Sequence, residues 1–145
     1  MSQQKNSSKI NIVLGLGISG INAAKLIKSK GKEVLVIENN SNRKLKEISN
    51  ELNLIGIDVV LIGKPLNINN FSPWLGKISS IIVSPGIPWD HKALNSLRRK
   101  NISIKGEPEL AWEDLKHIPS IAVTGTNGKT TVTHMLNHVL KLNGL

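Results

Sequence analysis

Short apolar, β-branched runs alternate along this chain with stretches whose apolar residues recur at helical spacing. Ile10 to Leu14, Glu33 to Ile37, Ile57 to Ile62, Ser80 to Val83 and Ile102 to Ile104 have the length and composition of buried strands. Between them, Ile21, Ala24, Leu26 and Ile27 trace a helix that Gly31 is placed to stop, and Arg43 to Leu54 and His91 to Lys100 read as two more. Pro65 to Lys77 is broken up by asparagine and proline, with room for a helical turn around Trp74. This alternation predicts an α/β fold: an open, mostly parallel sheet whose ligands sit beyond the carboxyl ends of its strands.

The first strand runs into Gly15-Leu16-Gly17-Ile18-Ser19-Gly20 and then into the first helix, and the second strand ends at an acid, Glu38. Strand, Gly-x-Gly-x-x-Gly, helix, strand and acid form the dinucleotide-binding fingerprint. Gly15 suits the tight turn, Gly17 the close approach of backbone to a pyrophosphate, and Gly20 the contact of helix with strand. The complete βαβ context makes a Rossmann-like fold a strong inference and leaves the ligand open. A second candidate loop, Ser84-Pro85-Gly86-Ile87-Pro88, follows the fourth strand and should border the same cleft, although Pro85-Gly86 is also a turn dipeptide in its own right.

A further strand–helix pair lies near the end of the sequence. Ile121-Ala122-Val123 is a strand candidate, and Val132, Met135, Leu136, Val139 and Leu140 mark a helix. The residues between them, Thr124-Gly125-Thr126-Asn127-Gly128-Lys129-Thr130-Thr131, have the layout of a phosphate-binding loop. Gly125, Thr126, Asn127 and Gly128 can converge their N–H groups on phosphate oxygens at a helix N-terminus. Lys129 supplies a point charge for the β- and γ-phosphates of ATP, the Thr130 hydroxyl suits a Mg²⁺ ligand, and Thr131 can hold a phosphate oxygen or cap the helix. The general pattern wants a glycine where Val123 stands, so this is a variant loop.

Composition narrows the reading. The 145 residues allow one ordinary domain with little left for a second, and 39% hydrophobic residues support a packed core. No apolar run is long enough to cross a bilayer, so no membrane insertion is expected. Met1 to Lys9 is polar and is expected to be a flexible leader rather than a secretory signal. There is no cysteine, which removes disulfide and thiolate chemistry and fits the cytoplasm. The net charge of +9 raises the question of nucleic acid, but aromatic residues make up only 3% and the lysines are dispersed. Arg98-Arg99-Lys100 reads as a solvated helix face, and nucleic acid is not expected as a partner. His134 and His138 have the spacing of a zinc pair but lack the glutamate and third ligand of such a site.

The loop Thr124 to Thr131 resembles the ATP loop of the Mur ligases, the amide-forming enzymes of peptidoglycan precursor synthesis. Folylpolyglutamate synthetases share its core but usually continue with Gly-Ser where this chain has Thr130-Thr131. With Gly15 to Gly20, Ser84 to Pro88 and Gly106-Glu107-Pro108-Glu109-Leu110 in this order, nearly the whole chain is similar to the N-terminal third of the D-glutamate-adding branch of that family. The resemblance implies a first domain that is Rossmann-like yet holds a UDP-sugar in place of NAD. Ile18 and Ser19 would meet the pyrophosphate with Gly15, Gly17 and Gly20, Gly86 would meet the uridine end, and Glu38 would stand for the second-strand acid, usually Asp. Asn39-Asn40 lack the basic residue that some members carry there.

The same resemblance implies ATP and Mg²⁺ as cofactors, UDP-N-acetylmuramoyl-L-alanine and D-glutamate as substrates, and Lys129 and Thr130 as the catalytic pair. It also implies a cytoplasmic enzyme, monomeric at full length, that makes an amide through an acyl phosphate. The expected organisation is a leader over 1–9, a UDP-sugar-binding domain over 10–105, a connector over 106–119 and the start of an ATP-binding domain over 120–145. Family residues for the second Mg²⁺, adenine and D-glutamate lie after the ATP loop, so the sequence is expected to be an N-terminal fragment that is inactive alone. A stand-alone Rossmann module for a dinucleotide is the alternative of different class.

Overall fold

The computed structural model describes residues 9–144, and the leader expectation for residues 1–8 lies outside them. The chain divides into two compact units, one ending at Asp114 and the other beginning at Leu115. In the first, β1 (Ile10–Leu14), α1 (Ile18–Ser29), β2 (Glu33–Glu38), α2 (Arg43–Leu54), β3 (Asp58–Leu61), β4 (Ile78–Val83), α3 (Lys92–Arg98), β5 (Ser103–Gly106) and α4 (Glu107–Leu115) follow in that order. The five strands form one parallel sheet in the order β3-β2-β1-β4-β5.

Side chains alternate across the strands, so each strand feeds two cores. Ile12, Leu14, Leu35, Ile37, Ile81 and Val83 face one side, where Leu94 and Leu97 of α3 cover them together with Phe71. Val13, Val34, Val36 and Ile82 face the other, against Ala24 and Ile27 of α1, Leu52 of α2 and Leu110 of α4. Burial on both faces explains why these strands read as continuous apolar runs. Gly31, at φ 69°, lets the chain turn out of α1 as expected, and the Asn42 side chain caps α2 by accepting from the Leu45 N–H at 2.9 Å. A 3₁₀ turn forms over Ile68–Phe71, and turns continue from it through Trp74, whose N–H donates to the Phe71 carbonyl at 2.9 Å and whose carbonyl accepts from the Lys77 N–H at 2.7 Å. Asn67 supplies the cap of the 3₁₀ turn, its side-chain oxygen accepting from the Asn69 N–H, while the Asn67 N–H donates to the Asn70 side-chain oxygen.

Within the expected connector, Glu107–Leu115 form α4, with Pro108 in the first turn, where a missing N–H costs nothing. One expectation is corrected. Ile121–Val123 is not a strand: among the described residues no strand pairs with it, and pairing is what makes a strand. The second unit contains α5 (Lys129–Leu142), which begins where the phosphate loop ends, and Gly128 at φ 79° is its N-cap. Leu136 and Leu140 are half-buried and line a cavity of about 620 Å³ with Ile121 and Val123.

The far half of α4 is fixed by Asp114, which pairs with Lys30 at 2.7 Å, and by Glu113, which accepts a hydrogen bond from Lys105. That hydrogen bond from Lys105, and then the positive charges of Lys105, Lys32 and Lys30, hold the Glu113 carboxyl below the ordinary glutamate value, against a smaller opposing effect of burial. A depressed folded pKa contributes stability that is complete above the unfolded value and lost as pH falls through the folded one. The Tm advantage of wild type over Glu113→Gln is therefore expected to be present above pH 4.5 and to close as the pH is lowered further. Both groups are partly exposed, so the advantage should amount to a few degrees at most. An advantage that grows on acidification would contradict this account.

Candidate functional site

The strand order reverses at β1, which has β2 on one side and β4 on the other, and a crevice opens there at the carboxyl ends of the strands. It encloses about 450 Å³, and Gly15, Gly17, Ser19, Glu38 and Gly86 all line it. Gly15 makes the turn out of β1 at φ 102° and donates its N–H to the Ile37 carbonyl at 2.9 Å. Gly20 does not line the crevice but backs onto this turn, where a Cβ would stand 2.2 Å from the Gly15 carbonyl oxygen. At Gly17 the reverse holds: a Cβ would meet nothing within 4 Å, because the space beside it is the crevice.

Ile18 is 85% exposed and begins α1 between Gly17 and Ser19, both of which line the crevice. Gly17 caps α1 without a side chain, and the N–H groups of Gly17, Ile18, Ser19 and Gly20 have no acceptor among the described residues. The first helical donor to be satisfied is Ile21, which bonds the Gly17 carbonyl. Four free donors at a helix N-terminus make a surface for an anion of phosphate type.

Glu38 is not a solvated charge. Its Oε2 accepts from the Leu16 N–H at 2.8 Å, and its Oε1 accepts from the Asn40 N–H at 2.8 Å and the Asn40 side-chain amide at 3.0 Å. The carboxylate thus ties the glycine loop to the end of β2. Opposite it, Ser84 is 9% exposed and fully engaged: its N–H donates to the Leu14 carbonyl, its carbonyl accepts from the Ile87 N–H, and its hydroxyl donates to Glu107 Oε1 at 2.6 Å. Gly86, within that turn, has room for a ligand atom on its open face and an N–H without an acceptor among the described residues.

Glu107 falls in the expected connector and is not among the residues expected at the site. The available signal was positional: it follows the end of β5 as Ser84 follows the end of β4, and those two strands are neighbours.

In the second unit, Gly125, Thr126, Asn127, Gly128, Lys129, Thr130 and Thr131 are all exposed. Gly125 stands at φ 147° and Gly128 at φ 79°, conformations that favour glycine in a loop wrapped around an anion. Lys129 Nζ lies over this loop and donates to the Gly125 carbonyl at 2.5 Å and to the Thr126 carbonyl at 3.4 Å. The N–H groups of Lys129, Thr130 and Thr131 and the Thr130 hydroxyl have no acceptor among the described residues. These residues fit a nucleotide phosphate with a magnesium ion beside Thr130.

Comparison with known proteins agrees on both units. A family model described as the N-terminal domain of Mur ligases of MurD-like type matches residues 9–106, and one for the Mur ligase middle domain matches residues 123–145. The chain is 63% identical over all its 145 residues to a UDP-N-acetylmuramoylalanine–D-glutamate ligase of Prochlorococcus marinus strain NATL2A, of which it covers 31%. It is 52% identical to the ligase of the same name from strain MIT 9313, over 92% of this chain and 29% of that one. Among solved structures, UDP-N-acetylmuramate–alanine ligase of Thermotoga maritima matches 92% of this chain and 29% of its own at 28% identity, with a TM-score of 0.56. The chain spans about a third of the length of the curated relatives it matches.

Proposed function

Since the chain belongs to the Mur ligase family, in its MurD-like branch, we propose that it carries the UDP-sugar-binding domain and the ATP loop of a UDP-N-acetylmuramoyl-L-alanine:D-glutamate ligase. In the proposed reaction, the carboxylate of UDP-N-acetylmuramoyl-L-alanine takes the γ-phosphoryl group of ATP to become an acyl phosphate. The amine of D-glutamate then displaces phosphate and forms the amide. Such an enzyme works in the cytoplasm, where peptidoglycan precursors are made.

The observation that carries this reading is that one crevice is lined from both sides by residues with free N–H groups, Gly17 and Ser19 at the start of α1 and Gly86 opposite. The first side would hold the pyrophosphate and the second the uridine end. Glu38 holds the glycine loop and Asn40 through both carboxylate oxygens and keeps acceptor capacity for a ligand hydroxyl or amide in either reading, so ligand titration is what separates a UDP-sugar from a dinucleotide. In the second unit, Lys129 would contact the β- and γ-phosphates, Thr130 the magnesium ion, and Gly125 to Gly128 the phosphate oxygens. When bound, the ion supplies neutralisation of the charge on the transferring group.

Calorimetric titration of the chain with UDP-N-acetylmuramoyl-L-alanine and with NAD tests the proposal. The UDP-sugar is expected to bind and NAD to bind more weakly or not at all. Tighter binding of NAD would sink this reading in favour of a dinucleotide module.

A further inference from the structure

We propose that Glu107 is a positioning residue for the crevice: it orients Ser84, and through Ser84 the turn that presents Gly86 to a ligand. The proposal rests on the crevice being a UDP-sugar site, but the geometry behind it is local. Val83 and Gly106 are register partners at the ends of β4 and β5, so Ser84 and Glu107 are the next pair outward across neighbouring strands. There the Ser84 hydroxyl gives its single proton to a carboxylate at 2.6 Å, a charge-assisted bond of the strong class. Glu107 is the first residue of α4, where a negative charge is favoured by the helix dipole.

The consequence lies at Ser84, which sits at a junction. Its hydroxyl oxygen stands 3.0 Å from where a Cβ on Gly15 would be and 3.0 Å from where one on Gly20 would be, so it packs directly against the glycine turn. Its backbone bonds both the end of β1 and the Ile87 N–H. With its proton committed to Glu107, Ser84 donates nothing to a ligand; it is framework, held in one rotamer by a residue 23 positions away. Without the carboxylate, a nearly buried hydroxyl must find another acceptor, and the nearest lie in the glycine turn or the crevice. Either choice moves the loop that carries Gly86.

The test uses the 145-residue chain, UDP as the probe, and three variants. Glu107→Ala is expected to weaken UDP binding by about tenfold, the scale of one hydrogen bond to a charged group. Exchange of the Ile87 amide should speed up at the same time. Glu107→Gln, whose side-chain carbonyl can still accept from Ser84, should restore both. Glu113→Ala loosens α4 at its far end without touching Ser84, so it should leave UDP affinity within about twofold of wild type. If Glu113→Ala costs as much affinity as Glu107→Ala, then Glu107 merely anchors the helix and the proposal fails. If wild type does not bind UDP, the ligand reading is wrong, and Ile87 exchange alone decides: faster exchange in Glu107→Ala upholds the positioning role, and unchanged exchange overturns it.

Discussion

Replacing Gly17 with Val is expected to abolish binding of UDP and of UDP-N-acetylmuramoyl-L-alanine while lowering the melting temperature by only about 3 °C. Gly17 has φ −79° and ψ 177°, an extended conformation open to any residue, and a Cβ there meets no protein atom within 4 Å. The only cost to the fold is a poorer N-cap, about 1 kcal/mol. The added methyl groups instead enter the crevice beside the free N–H groups, in the space that a pyrophosphate needs. Gly20→Ala should do the opposite. Its Cβ would sit 2.2 Å from the Gly15 carbonyl oxygen, so helix α1 must move off the sheet. Overpacking of that kind costs roughly 3 kcal/mol or more, which corresponds to a fall in Tm on the order of 10 °C. Thermal melts and UDP titrations of both variants check this. If Gly17→Val unfolds the chain while Gly20→Ala leaves its Tm intact, the two glycines have been given each other's roles.

The contrast between these glycines was legible before any coordinates, because their spacing only makes sense between a strand and a helix. The same is true of α2, whose limits at Arg43 and Leu54 are those read from the sequence. What the sequence left open depends on contacts that local pattern does not encode. Gly106-Glu107-Pro108 punctuates like a linker, yet the proline occupies a first-turn position and Leu110 is drawn into the core under β1 and β4. Ile121 to Val123 has the composition of a strand, but propensity without a pairing partner does not make one. Ser84 and Glu107 each sit in a recognisable motif, and neither motif says that the two side chains touch. Their meeting follows from β4 lying beside β5, a property of sheet topology. Glu38 shows the same limit from the other side. Its position at the end of β2 was plain, while its engagement with Leu16 and Asn40 required the loops to be placed.

Replacing Lys129 with Ala should weaken MgATP binding to this chain by about ten- to a hundredfold, the range for losing a charge-assisted contact to phosphate. In a ligase carrying this sequence, ATP-dependent acyl phosphate formation should fall by on the order of a hundredfold or more, as for loss of one preorganised charge stabiliser. Lys129 starts α5 directly after Gly128, and its ammonium reaches back over the loop to the carbonyls of Gly125 and Thr126. A compact point charge on a flexible stem can leave those carbonyls for a phosphate; arginine's planar fork cannot copy that motion from the same backbone position. Lys129→Arg should therefore recover little of the loss, although it keeps the charge. UDP affinity should be unchanged in both variants, because Gly17, Glu38 and Gly86 belong to the first unit and Lys129 to the second. Calorimetry with each ligand separates the two effects. Lost UDP binding with MgATP binding intact would mean that the loops had been assigned to the wrong nucleotides, and full recovery by arginine would mean that charge alone, and not the reach of the lysine, is what the loop requires.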